Sequence, residues 1–85
     1  MPYYTYILEC NDGTYYIGST DTLFNRVAQH NEGRGASYTR ARLPAKLIYY
    51  EENPDRSSAM KRERELKKLN KNQKKKLVEK VVIYS

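Results

Sequence analysis

The sequence predicts a small α/β domain of the α+β type, a three-stranded antiparallel sheet flanked by helices in the order β-β-α-β-α-α. Three observations carry that expectation. Two aromatic and β-branched runs are joined by Asn11-Asp12-Gly13, a third run of the same kind covers 46–51, and the remaining segments show helical spacing between capping residues. Eighty-five residues suffice for one modest core, so residues 1–85 are read as a single domain.

Residues 3–9 are dense in Tyr, Thr and Ile and read as a strand, with 14–18 as its return after the Asn-Asp-Gly turn. Asp21 or Thr20 can cap a helix over about 22–32, with Leu23, Val27 and Ala28 facing inward and Gly33 as its stop. Residues 33–45 form a long loop holding two glycines, a proline, Tyr38 and three arginines, a length that in a small domain points to function. Residues 46–51 make the third strand. Asp55 or Ser57 can cap a helix over about 58–69, with Ala59, Leu66 and Leu69 as its apolar contacts. Asn70 with Gln73 three residues on is a capping-box signal for a last helix at about 73–80, and 81–84 are β-prone.

Charge is distributed unevenly. Residues 1–45 carry four basic and four acidic side chains, whereas residues 46–85 carry twelve and six, so the whole net charge of +6 lies in the second half. Such a polarised field suits a polyanion, nucleic acid above all. Cys10 is the only cysteine, which excludes an internal disulfide framework and a Cys-based zinc cluster. No apolar run is long enough to span a membrane, and the N-terminus lacks the basic-then-apolar order of a secretion signal. The expected location is cytoplasmic, in keeping with a small chain that lacks disulfides.

The hairpin register decides whether Tyr6 and Tyr16 can form one site. A two-residue Asp12-Gly13 turn would put them on opposite faces. A three-residue loop with Gly13 in the left-handed position pairs Leu8 with Tyr16 and Tyr6 with Gly18, and both tyrosines then share a face. That register is the one expected. Arg26 and His30, four residues apart, stand on one side of the first helix, offering a guanidinium fork and the lone imidazole of the chain. Glu63 lies among Lys61, Arg62, Arg64, Lys67 and Lys68. One carboxylate in a basic field can hold a hydrated Mg²⁺, or it can simply pair with Lys67 at i,i+4.

Tyr6, the run Tyr16-Ile17-Gly18, Arg26, His30 and Glu63, in that order, resemble the GIY-YIG endonuclease superfamily, and most of all its small single-domain bacterial branch. Gly35-Ala36-Ser37-Tyr38-Thr39-Arg40 and Arg62-Glu63-Arg64-Glu65-Leu66-Lys67-Lys68 are similar to that branch as well. The resemblance covers roughly residues 3–70, with Ile17 and Gly18 as structural members of its signature. It implies metal-dependent hydrolysis of phosphodiester bonds in DNA repair or processing, on branched, flapped or single-stranded forms. It also implies Glu63 as the ligand of Mg²⁺ or Mn²⁺, Tyr6 or Tyr16 as base or water positioner, Arg26 on the phosphate, and His30 orienting or relaying a proton. The chain departs from the pattern where Tyr4-Thr5-Tyr6 replaces Gly-Ile-Tyr. Asn70 is a candidate for the late polar residue that many relatives carry. Well-studied members add a second domain for target recognition. Here specificity would fall to the loop, the basic helix or a protein partner.

For the nucleic-acid surface, Arg34, Tyr38, Arg40 and Arg42 of the loop and Lys61, Arg62, Lys67 and Lys68 of the basic helix are the expected contacts, with DNA favoured over RNA. Two other functions fit the same residues less fully: a non-catalytic nucleic-acid-binding module of this fold, and an interaction domain for an acidic protein.

Overall fold

Gly13 sets the register of the hairpin that begins the sheet. In the computed structural model, which describes residues 2–82, its φ is +83°, the left-handed conformation that glycine adopts without steric cost. The three-residue loop therefore closes as expected, with Leu8 opposite Tyr16 and Tyr6 opposite Gly18. Strand β1 (Tyr3–Glu9) lies between β2 (Tyr15–Thr20) and β3 (Lys46–Asn53), antiparallel to both. A central strand is covered on both sides, and Thr5, Tyr6, Ile7 and Leu8 are all buried. Its pairing with β3 shifts between Ile7 and Leu8, which leaves Ile48 as the extra residue of a bulge.

Alternation along the strands divides the core in two. Tyr6 and Leu8 meet Leu23 and Ala45, with Tyr16, Val27, Leu43 and Leu47 around them. Ile7 and Ile17 on the opposite face meet Tyr49 and Leu66, with Leu69, Leu77 and Val78 beside them. Burying each such side chain contributes about 1.5–3 kcal/mol. The first face is covered by α1 (Leu23–Asn31) and α2 (Ser37–Arg40), the second by α3 (Arg56–Lys67) and α4 (Lys71–Val82).

The helix ends refine the expected ones. Helix α1 starts after Thr22, so Asp21 and Thr20 come too early to cap it; the Thr20 hydroxyl instead accepts from the Thr22 N–H at 3.1 Å. Ala28 is exposed rather than inward, because the packed stripe is Leu23, Val27 and His30. Gly33, with φ of +80°, ends the helix. Asp55 caps α3 through a 2.8 Å bond from the Ser58 N–H, and the helix begins two residues earlier than the spacing suggested. Asn70 and Gln73 form the reciprocal capping box, each side chain bonding the other's backbone N–H at 2.9 Å. Asn70 is thus used as a cap.

Two expectations change. Residues 33–45 are not irregular throughout, because Ala36 starts the single turn α2 by accepting from the Arg40 N–H at 3.1 Å. The Asn31 side chain closes this segment by pairing with both backbone groups of Ala45, at 2.7 and 2.8 Å. Val81 and Val82 belong to α4 despite their β propensity, since a capped helix extends with one bond per added residue. Residues 83–85, the rest of the β-prone tail, lie outside the described residues.

Candidate active site

The Tyr6 hydroxyl is the centre of the site. It lies over Gly18, where an added Cβ would stand 2.5 Å from the hydroxyl oxygen and 3.2 Å from the Tyr16 ring. Glycine here is a packing requirement. Tyr6 Oη is 3.0 Å from His30 Nε2, and the other ring nitrogen, Nδ1, is 2.8 Å from Thr39 Oγ1. The Tyr16 ring completes the cluster, 5.2 Å from the His30 ring and 6.4 Å from that of Tyr6. Gly35 lets the backbone reach His30, since a Cβ there would fall 2.2 Å from Nδ1.

Burial sets the protonation of this cluster. Tyr6 is 1% exposed and His30 fully buried. Burial first, then the neighbouring Tyr16, push the Tyr6 hydroxyl up to about 12, against a partial pull downward from Arg26. Burial also lowers the His30 imidazole, and the Arg26 charge lowers it further. Both groups are therefore neutral at pH 7. Arg26, half-buried, donates to Gln29 Oε1 at 3.0 Å and stands beside the Tyr6 hydroxyl.

Glu63 belongs to the opposite face. Its helix is fixed to the sheet by Thr5, whose hydroxyl donates to the Ala59 carbonyl at 2.8 Å, one turn before Glu63. The departure Tyr4-Thr5-Tyr6 thus has a structural use, as a polar clamp on α3. Ser19, beside Thr5 in the sheet, donates to Glu63 Oε1 at 2.7 Å, and Lys67 donates to Oε2 at 2.7 Å. The carboxylate retains partial solvent access and its field still reaches the Tyr6 hydroxyl. Among the described residues no group of three or more His, Cys, Asp or Glu side chains converges on one point, so Glu63 stands as a single carboxylate.

Between these halves, at the free edge of β2, lies an open cleft of about 290 Å³ lined by Tyr15, Tyr16, Ile17, Tyr38, Lys67 and Lys74. Tyr38 stacks on Tyr16 with ring centroids 6.2 Å apart. Arg42 lies 4.0 Å over the Tyr38 ring, donates to the Tyr38 carbonyl at 2.9 Å and pairs with Asp12 at 3.0 Å. Its guanidinium braces the loop against the hairpin. Arg62 is turned to Glu51 through bonds of 2.8 and 3.0 Å. Arg34 pairs with Glu32, while Arg40, Lys61 and Lys68 are exposed outside the cleft.

Tyr6, Tyr16, Arg26 and His30 therefore converge, with Glu63 across the sheet edge. Thr39, Ser19, Gly35, Tyr15 and Lys74 join the site without having been expected there. Ser19 could have been found from the hairpin register, which pairs it with Thr5 on the face of the edge strand opposite to Tyr16 and Gly18. Lys74 follows once the capping box fixes where α4 starts.

Residues 2–76 match the model of the GIY-YIG catalytic domain. The chain is 48% identical over 75 residues to a UPF0213 protein of Bacillus cereus, covering 88% of this chain and 78% of that one. It is 47% identical over 72 residues to a UPF0213 protein of Halobacterium salinarum, covering 85% and 94%, so such relatives extend from bacteria to archaea. Among solved structures, the solution NMR structure of a UPF0213 protein from Bacillus halodurans is similar, with a TM-score of 0.59 and 42% identity over 93% of this chain and 84% of that one. A protein from E. faecalis, also solved by NMR, gives a TM-score of 0.61 with 36% identity over 100% and 90%.

Proposed function

The chain belongs to the GIY-YIG catalytic-domain family, and from that premise we propose that it is a metal-dependent endonuclease hydrolysing phosphodiester bonds in DNA. The observation that carries this reading is the neutral Tyr6–His30 pair beside an aromatic cleft rimmed by lysines. In this reading residues 1–85 work as one cytoplasmic domain in DNA repair or processing.

Glu63 would hold Mg²⁺ or Mn²⁺. A partly exposed single carboxylate suits Mg²⁺, which keeps most of its waters and takes one or two protein carboxylates together with phosphate oxygens. Such an ion, when bound, supplies Lewis-acid stabilisation of charge on the phosphate and the leaving oxygen. Arg26 binds the phosphate, with a charge that persists at every working pH. Tyr16, at the cleft wall, orients the attacking water. Tyr6 is neutral at pH 7 and takes a proton from water only as it passes its own to His30, whose lowered basicity keeps Nε2 free to accept.

The cleft favours an unpaired strand, because Tyr15, Tyr16 and Tyr38 line it with aromatic surface for bases to pack against while Lys67 and Lys74 meet the phosphates. Arg34, Arg40, Lys61 and Lys68 would add phosphate contacts outside it, and a protein partner would add target choice. The Lys67–Glu63 ion pair favours a second reading, a non-cutting module of the same fold, since an ammonium already neutralises the carboxylate. A low-salt panel of labelled single-stranded, flapped, branched and duplex DNA, plus RNA, decides between them. Cleavage of the unpaired DNA forms with Mg²⁺ or Mn²⁺, lost in Tyr16→Phe, supports the enzyme; salt-sensitive binding without cleavage supports the module.

A further inference from the structure

The run Gly35-Ala36-Ser37-Tyr38-Thr39-Arg40 reaches the site through one side chain, Thr39. It is fully buried, and its hydroxyl oxygen meets two partners: the Ala36 carbonyl at 2.9 Å and His30 Nδ1 at 2.8 Å. Two oxygens at 2.9 Å repel unless a proton lies between them, and a carbonyl has none to give. The hydroxyl proton is therefore committed to Ala36, and the Thr39 oxygen presents a lone pair to Nδ1. Nδ1 must then carry the imidazole proton. Nε2 is left as an acceptor, and the Tyr6 hydroxyl, 3.0 Å away, donates to it.

We propose that Thr39 is a positioning residue that fixes His30 in the Nδ1–H tautomer and so aims the Tyr6 O–H at Nε2. The inference deepens the hydrolytic reading above and rests on it for its chemical consequence. Polarity in this chain runs one way: Tyr6 O–H to His30 Nε2, His30 Nδ1–H to Thr39 Oγ1, Thr39 O–H to the Ala36 carbonyl. When a proton passes from Tyr6 to Nε2, the Nδ1–H to Thr39 bond stays as it was, so no side chain has to turn. Thr39 carries no charge and raises the affinity of the imidazole for its new proton less than a carboxylate in its place would, which favours the proton's prompt return. Gly35 serves the same end, since only a residue without a Cβ lets the turn come this close to Nδ1.

His30 is the only histidine, so long-range ¹H–¹⁵N spectra of its ring need no assignment. In the wild-type protein without substrate, at about pH 7.5 or above, Nδ1 is expected to be protonated and Nε2 bare. Thr39→Ser keeps that pattern and keeps cleavage. Thr39→Val, nearly isosteric, loses it, and cleavage falls on the order of tenfold or more with DNA affinity unchanged. A wild-type ring protonated at Nε2, or a Thr39→Val ring with the wild-type pattern, overturns the assignment. The wild-type spectrum decides even if Thr39→Val does not fold. Because the spectrum uses no substrate, a protein with the expected tautomer that cuts no DNA fails the hydrolytic reading alone.

Discussion

The two faces of the sheet hold opposite kinds of chemistry. On the face under α1 and α2, Tyr6, His30 and Thr39 are buried, neutral and bonded to one another and to the backbone, with the half-buried Arg26 charge beside the Tyr6 hydroxyl. On the face under α3 and α4, Glu63 and Lys67 are charged, part-exposed and held to the sheet by one serine and one threonine clamp. A buried neutral chain handles protons well, because its geometry is set by packing and its groups stay uncharged at working pH. An exposed charged edge handles phosphate and cations well, because water and ions can exchange there. Stability and activity should therefore be tied together on the first face and separable on the second.

Glu63→Ala is expected to have the largest effect on activity. Losing several kcal/mol of charge stabilisation lowers cleavage by roughly a thousandfold. Stability should hardly move, since the part-exposed pair with Lys67 contributes about 0–1 kcal/mol. Single-turnover cleavage beside a thermal melt reads both quantities. Gly18→Ala should do the reverse in kind, overpacking Tyr6 and Tyr16 and costing about 1–3 kcal/mol in a urea titration, with activity falling as the cluster shifts.

A pH titration sharpens the contrast further. Burial lowers His30 below its ordinary value of 6.5, so between the two values the unfolded chain binds more protons than the folded one. Stability should accordingly be full above about pH 6.5 and decline as pH falls below it. His30→Gln should remove that slope, whereas Glu63→Gln should leave it. Lys74→Ala is the smallest change expected. It should weaken binding of single-stranded DNA and reduce the slope of log affinity against log salt by about one, with no effect on the melt.

Much of this was legible in the sequence because local rules and tertiary needs agreed. Asn11-Asp12-Gly13 admits one register that puts both tyrosines on a face, and the sheet adopts it. Gly33, Asp55 and the Asn70–Gln73 box mark helix ends by the backbone groups they satisfy. The depth of the site was not legible. His30 sits on an amphipathic helix where a polar residue reads as solvated, and it is buried because Tyr6 and Thr39 lie above and below its two nitrogens. The turn at Ser37–Arg40 was hidden as well, since its hydrogen bonds come from Thr39 and Arg40 to Ala36 and leave no apolar periodicity. Arg42 and Arg62 look like phosphate contacts by composition, yet their fixed partners, Asp12 and Glu51, are distant in sequence and meet them only in the fold.

The most direct measurement of the central claim is single-turnover cleavage of a labelled flapped DNA with and without Mn²⁺. Wild type, Tyr6→Phe and Glu63→Ala would be run side by side, each confirmed folded by circular dichroism. The expected result is cleavage that requires the ion in wild type and is lost in both variants, one from each face of the sheet. Equal cleavage by Glu63→Ala, or cleavage indifferent to the ion, would contradict it.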